Sequence, residues 1–151
     1  MDLSRFSIPL LMIGPGVQET FGNSRDTVGS QIDVVPTIVG RLGLPVQAQC
    51  WGRDLLALPP GDAGVAVIKP SGSDQTVGLV SGDRILVKPR DRDARLYRYQ
   101  LGHDAGAEVI DDAQARTDLE RKLSAFVQTA TASLLGNTTG VSLDKTAQAR
   151  R

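Results

Sequence analysis

A histidine beside a carboxylate is the first candidate for chemistry in this sequence. His103 and Asp104 stand together in a glycine-rich polar stretch, and His103 is the only histidine among the 151 residues. A neutral imidazole can accept a proton or bind a metal ion. A solvated turn has the same composition, however, and we favour that interpretation for the pair.

The single cysteine is the second candidate. Cys50 precedes Trp51, and a thiolate nucleophile needs a base close to it. No second histidine exists to act as that base, so we expect Cys50 to be a half-buried structural residue. One cysteine also excludes an internal disulfide, and one cysteine with one histidine excludes the usual Cys/His zinc sites.

Two further patterns resemble binding motifs only loosely. Residues 14–16 read Gly-Pro-Gly, but no Gly-Lys-Ser/Thr follows and the proline lacks an N–H. Residues 88–98 carry five cations, but Asp91 and Asp93 interrupt them and Tyr97 is the only aromatic residue, which favours a solvated hairpin. With 17 basic and 17 acidic residues the net charge is zero, which argues against electrostatic capture of nucleic acid or an anionic membrane.

An apolar run near the start predicts a buried strand. Residues 8–13 read Ile-Pro-Leu-Leu-Met-Ile and are followed at once by Gly-Pro-Gly. The run is far shorter than the roughly 20 residues of a membrane-spanning helix, and it lacks the features of a signal peptide. A strand that is apolar on both faces needs neighbours. Since no similar strand follows soon, we expect those neighbours upstream, outside this chain.

The helix that should position the central motif is predicted over residues 34–42. Its apolar stripe has helical spacing, and Asp33 is the favoured N-cap because Pro36 then occupies the third helical position, where its missing N–H costs nothing. A capping box between Ser30 and Asp33 is the alternative. Gly43 is a natural residue to end the helix.

Four short β-rich runs and a second helix follow. The runs cover residues 65–68, 76–80, 84–87 and 95–101. Short links make neighbouring strands antiparallel, so these runs predict a four-stranded antiparallel meander. A polar loop over 102–116 precedes a C-terminal helix over 117–135.

The predicted fold class is therefore α/β. Residues 1–60 are expected to form the edge of a larger sheet, with a loop over 17–29. Residues 61–136 are expected to form the antiparallel meander with its packed helix. Residues 137–151 are small and polar and predict a disordered tail.

The order of these motifs resembles the C-terminal part of a sulfatase-type domain of the alkaline phosphatase superfamily. Ile-Pro-Leu-Leu comes first, Ser-Gln-Ile-Asp followed by Pro-Thr second, and Gly-Arg-Asp-Leu-Leu third. The glutamine of the second motif, the strands over 76–100 and the final helix are similar to the lipoteichoic acid synthase and phosphoglycerol transferase branch. The resemblance covers about residues 5–135. The matching scaffold positions are Ser30, Gln31, Asp33, Pro36, Thr37, Gly52, Arg53 and Asp54.

The resemblance implies an enzyme that cleaves or transfers phosphate or sulfate esters outside the cytoplasmic membrane, anchored by helices upstream of this chain. The family holds a divalent metal (Mn, Mg or Ca) near a Thr, Ser or modified Cys nucleophile. A metal-binding Asp-His-Gly motif lies shortly before its Ile-Pro-Leu-Leu strand. No position here matches either feature, and His103-Asp104 has the reversed order, so no catalytic or metal-binding residue is assigned.

Three hypotheses therefore stand for the function. The first is the C-terminal portion of a sulfatase-like phosphoglycerol transferase or hydrolase, inactive without an N-terminal catalytic half in the same or a separate chain. The second is a non-catalytic interaction module, and the third is a small hydrolase that uses Cys50 or His103. No nucleic-acid partner and no transmembrane segment are expected in this chain.

Overall fold

The structure is a computed structural model, and it describes residues 6–43, 48–69, 75–100, 106–136 and 140–141. Its elements are α1 (Val17–Phe21), a 3-10 turn (Gln31–Asp33), α2 (Val34–Leu42), β1 (Ala48–Gln49), β2 (Ala66–Ile68), β3 (Val77–Ser81), β4 (Arg84–Lys88), β5 (Arg95–Tyr99), β6 (Ala107–Val109), α3 (Ala113–Leu135) and β7 (Gly140–Val141). The chain is α/β, as predicted. None of the helices in these ranges is both long and apolar enough to cross a membrane.

Five strands, not four, form the main sheet, in the order β2-β3-β4-β5-β6 with every pair antiparallel. The additional strand β6 lies in a stretch predicted to be loop. It pairs with β5, with Tyr99 opposite Ala107 and Tyr97 opposite Val109. Its three residues are too few to give a clear alternating pattern, and their strand conformation depends on the partner strand.

One face of the sheet holds the main core beneath the first half of α3. The register places Leu79 opposite Leu86, and Leu86 opposite Leu96, so these side chains form a row across three strands. Leu119 and Leu123 of α3 pack on this row. Leu86 is fully buried because β4 is the central strand and the helix covers it.

The other sheet face has a smaller core around Val80 and Ile85. Phe6 and Val28, from outside the sheet, pack against these two residues, together with Tyr99. The two faces of β5 therefore contribute to different cores, with Leu96 in the main core and Tyr99 in the smaller one.

The helix α3 begins earlier than the predicted 117. Asp112 precedes the helix, and its Oδ1 accepts the N–H of Ala115 at 2.9 Å, which satisfies one of the free donors of the first turn. In the second half of the helix two large apolar residues are exposed, Leu134 at 66 % and Val127 at 39 %.

The predicted buried strand over residues 8–13 is wrong for the structure as it stands. This segment has no strand conformation. Its large side chains are open to solvent, with Ile8 72 %, Leu10 51 %, Leu11 79 % and Ile13 88 % exposed. No neighbouring strand lies beside it within the described ranges, which removes the ladder and the cover that such a strand requires. The following loop prediction missed the short helix α1.

The chain divides into two compact units. The first unit comprises Met1–Gly29 with Pro60–Ser124, and the second comprises Ser30–Pro59 with Ala125–Arg151. Within the second unit β1 and β7 form a two-stranded antiparallel sheet. Strand β7 falls in the predicted disordered tail, whose remaining residues lie outside the described part of the chain.

Candidate functional site

The motif residues of the second unit meet around one buried carboxylate. Asp33 is only 1 % exposed. Its Oδ2 accepts the main-chain N–H of Ser30 at 2.8 Å, and its Oδ1 accepts the main-chain N–H of Arg53 at 2.7 Å. The Arg53 guanidinium adds a contact to Oδ2 at 3.3 Å. The burial of this charge is therefore compensated by two amide donors and a cation.

The bonds of Asp33 correct the prediction that its side chain caps α2. Asp33 does occupy the N-cap position, but its side chain makes no capping bond to α2 and turns back to Ser30 instead. This is the bond that a capping box would supply for the preceding 3-10 turn. The predicted helix bounds are confirmed, and Gly43 ends α2 in the left-handed conformation, with φ 63°.

Thr37 makes the second connection between α2 and the loop at 52–55. It is fully buried on the helix. Its hydroxyl donates to the carbonyl of Asp33 at 2.6 Å and accepts the main-chain N–H of Leu55 at 2.9 Å. One hydroxyl therefore satisfies a donor of the loop while its own proton is bound within the helix.

Two glycines permit the loop at 52–55 to lie close to α2. A Cβ on Gly52 would stand 1.9 Å from the main-chain oxygen of Ile32, and a Cβ on Gly40 would stand 2.1 Å from Oδ2 of Asp54. Both distances are far shorter than any van der Waals contact. Gly52 is thus required by the approach of the main chain, whereas Gly40 leaves space for the Asp54 side chain, and neither has an unusual φ.

Asp54 also holds the loop at 52–55 in place, through bonds to α2 and to the main chain that follows it. Its Oδ2 pairs with Arg41 of α2 at 2.7 Å, and its Oδ1 accepts the N–H groups of Leu56 and Ala57 at 3.0 and 3.3 Å. An aspartate that binds main-chain donors two and three residues later stabilises a turn. Arg53 and Asp54 therefore join the loop to the start and the body of α2.

These contacts determine what the cluster can do chemically. Both oxygens of Asp33 already accept N–H groups, and a guanidinium stands beside them. A hard divalent cation needs several free oxygen ligands and is repelled by a neighbouring arginine. Across the described ranges, no group of three or more His, Cys, Asp or Glu residues is placed to hold a metal. The matched residues do not fit the metal that the resemblance implies.

Of the isolated candidates from the sequence, Cys50 lies within the described residues. Cys50 is exposed rather than half-buried, and its thiol contacts the carbonyl of Gly52 at 3.6 Å. Trp51 packs edge-on against Phe126, with ring centroids 6.2 Å apart. His103 and Asp104 lie outside the described residues.

The cations of the hairpin around β4 and β5 face acidic partners. Lys88 contacts Glu120 at 2.8 Å. Arg98 contacts Asp83 at 3.3 Å. Pairs of this kind at a solvated surface contribute little to stability.

A cavity of about 560 Å³ lies in the first unit, on the sheet face that holds Val80 and Ile85. No sequence pattern indicated it, because its walls come from five separated segments. Tyr99 and Asp83 stand at its polar side. Burial, and then the negative charge of Asp83, raise the pKa of the Tyr99 hydroxyl above its ordinary value.

Comparisons with known proteins give no relative for this chain: no family model, curated protein or solved structure matches it.

Proposed function

We propose that this chain is the C-terminal portion of a sulfatase-type enzyme of the lipoteichoic acid synthase and phosphoglycerol transferase branch. In this proposal it supplies framework to the enzyme. The nucleophile and the ligands of the divalent metal come from an N-terminal catalytic half, in the same polypeptide or in a second one. The whole enzyme acts on phosphate or sulfate esters outside the cytoplasmic membrane, and membrane helices outside these 151 residues anchor it.

The observation that carries the proposal is the cluster around Asp33. The second and third motifs of the resemblance are separated in sequence, yet Asp33 and Thr37 of one bind the main chain of Arg53 and Leu55 in the other. The two motifs thus meet in the folded chain, in the order and contact that a common scaffold requires. Their polar groups are used up internally, which supports a framework role.

The exposed apolar face of α2 is the second observation that supports the proposal. Three residues of α2 that share one face are open to solvent, with Val35 66 %, Ile38 48 % and Leu42 62 % exposed. Scattered single apolar residues are ordinary on a surface, but a continuous apolar face of a helix indicates a missing partner layer.

The test compares two preparations of the protein. One is the purified 151-residue chain, and the other is the polypeptide as its cell makes it, with any chain that co-purifies in fixed stoichiometry. Each is assayed with an aryl phosphate and an aryl sulfate in the presence of Mn²⁺, Mg²⁺ or Ca²⁺. We expect turnover from the second preparation only, and we expect a chelator to abolish it.

Two results would contradict the proposal. One is metal-dependent turnover by the 151-residue chain alone. The other is a cellular preparation whose peptides include no Asp-His-Gly motif and no nucleophile. A non-catalytic interaction module is the second candidate, favoured by the same exposed face of α2. A cellular preparation that lacks the catalytic half but contains one stable, defined partner would support that module instead.

A further inference from the structure

We infer that the cavity beside Tyr99 is a binding site for a small primary amine with an apolar body, of the arylalkyl amine class. The inference goes beyond the proposed function and does not depend on it. All residues that line the cavity belong to the first unit. Its volume of about 560 Å³ lies within the range of small-molecule sites, roughly 300–1,000 Å³.

A row of apolar side chains on three neighbouring strands forms the floor of the cavity. The register places Ala66 of β2 opposite Val80 of β3, and Val80 opposite Ile85 of β4. Val80 and Ile85 are buried, and Phe6 packs against them from outside the sheet. A ligand gains affinity by covering such a surface in proportion to the apolar area removed from water, so we expect its body to be apolar.

Main-chain hydrogen bonds hold one wall of the cavity against the sheet. The N–H of Val28 donates to the carbonyl of Ala63 at 3.2 Å, and the same carbonyl accepts the N–H of Gly82 at 3.1 Å. The two segments lie very close, because a Cβ on Gly64 would stand 2.0 Å from the oxygen of Val28. The wall over 25–28 is therefore in place before a ligand binds, which lowers the entropic cost of binding.

The charges around the cavity favour a cationic ligand. Two carboxylates line it, those of Asp26 and Asp83, against one guanidinium, that of Arg25. This guanidinium lies over the ring of Phe21, 5.9 Å from the ring centroid. Asp26 is exposed at the edge of the cavity, where an ammonium group can reach its carboxylate from solvent.

Tyr99 shows that the charge of Asp83 acts inside the cavity. Asp83 contacts Arg98 at 3.3 Å and Arg84 at 3.9 Å. Burial, and then the negative charge of Asp83, nevertheless raise the pKa of the Tyr99 hydroxyl. A positive head group beside this hydroxyl is attracted to the same carboxylate, whereas an anionic head group is repelled. We therefore expect an amine rather than a carboxylic acid.

Three probes with one ring system test the inference. Naphthylmethylamine, naphthylmethanol and naphthoic acid carry a cationic, a neutral and an anionic head group at neutral pH. Their dissociation constants are measured from the amide chemical shifts of β3 and β4 in the 151-residue protein. We expect the amine to bind with a constant of about 1 mM or lower, and at least about tenfold more tightly than the acid. An acid or alcohol that binds as tightly as the amine would overturn the inference.

A charge substitution locates the head group. Asp26→Asn should weaken binding of the amine about threefold, because it removes one exposed negative charge, and should leave binding of the alcohol unchanged. Asp91→Asn is the matched control, since the Asp91 side chain is 89 % exposed and does not line the cavity. Equal amine affinity in the two variants would contradict the assigned position of the ammonium group.

A second substitution fills the floor of the cavity. Ala66→Leu should abolish binding of all three probes, because the larger side chain occupies the space of the ligand. Ala132→Leu enlarges an exposed alanine of α3 and should leave binding unchanged. The amide shifts of β5 report whether each variant still folds. Unchanged amine binding by folded Ala66→Leu would overturn the assignment of the site.

The preparation purified from the cell distinguishes a ligand site from a protein contact. If the cavity takes a small amine there as well, the preparation should bind naphthylmethylamine as tightly as the 151-residue protein does. If a polypeptide segment of a partner fills the cavity instead, the preparation should not bind the amine, and the inference fails. Neither result depends on whether the preparation hydrolyses phosphate or sulfate esters.

Discussion

The carboxylate of Asp33 accepts the main-chain N–H of Arg53 at 2.7 Å across a separation of 20 residues. This bond fixes the start of a helix against a loop that lies beyond it in the chain. Because the same carboxylate also accepts the N–H of Ser30, a single side chain holds both segments. The predictions below follow from this arrangement and from the sheet.

Asp33→Asn should destabilise the second unit by about 2 kcal/mol, because the amide provides one acceptor oxygen where the carboxylate provided two. Urea unfolding followed by the fluorescence of Trp51 in that unit measures the change. Asp91→Asn is the control, since the Asp91 side chain is 89 % exposed. An equal effect of the two substitutions would contradict the role of Asp33.

Thr37→Val keeps the shape of the side chain but removes its hydroxyl. The N–H of Leu55 then loses its acceptor, and we expect the free energy of unfolding to fall by about 1–3 kcal/mol. Thr117→Val removes a hydroxyl that makes only an exposed bond within α3, so it should change stability by a few tenths of a kcal/mol at most. Chemical denaturation of both variants gives the comparison.

Gly52→Ala should displace the loop from α2, because the added Cβ would stand 1.9 Å from a main-chain oxygen that cannot move independently. We expect the free energy of unfolding to fall by about 1–3 kcal/mol. Gly14→Ala is the matched control, because its Cβ would meet only a side-chain carbon, at 3.4 Å. A thermal unfolding midpoint for Gly52→Ala equal to that of the control would refute the close approach.

The raised pKa of Tyr99 predicts a loss of stability at high pH. The unfolded chain releases the phenolic proton near the ordinary value of 10.0, whereas burial and then Asp83 keep it bound in the folded state. The contribution is therefore fully present below pH 10.0 and disappears as the pH rises through the raised pKa. Tyr99→Phe should flatten this decline in urea midpoints, and Tyr97→Phe serves as the control substitution.

The sequence predicted the local elements more accurately than their surroundings. The bounds of α2 follow from Pro36 and Gly43, which act through their own backbone. Strands β3 and β4 follow from short β-rich apolar runs on either side of a turn with Gly82 at φ 56°. By contrast, β6 depends on hydrogen bonds to β5, and its three residues give too short a pattern.

The candidate site could be predicted from the sequence only in part. The spacing of Ser30, Asp33 and Pro36 indicated a helix start, but it did not show that Asp33 would bind Arg53, because a contact over that separation is a property of the folded chain. Gly40 was a missed position, since its close approach to Asp54 leaves no mark in composition. The cavity beside Tyr99 was missed for the same reason.

The hydroxyl of Thr37 also predicts an order of assembly. The loop at Leu55 obtains its acceptor from a side chain that is correctly oriented only after the turns of α2 have formed. During synthesis, that helix leaves the ribosome before the loop does. The earlier segment thus acts as a template for the later one, and a peptide that contains the loop alone would have no fixed shape.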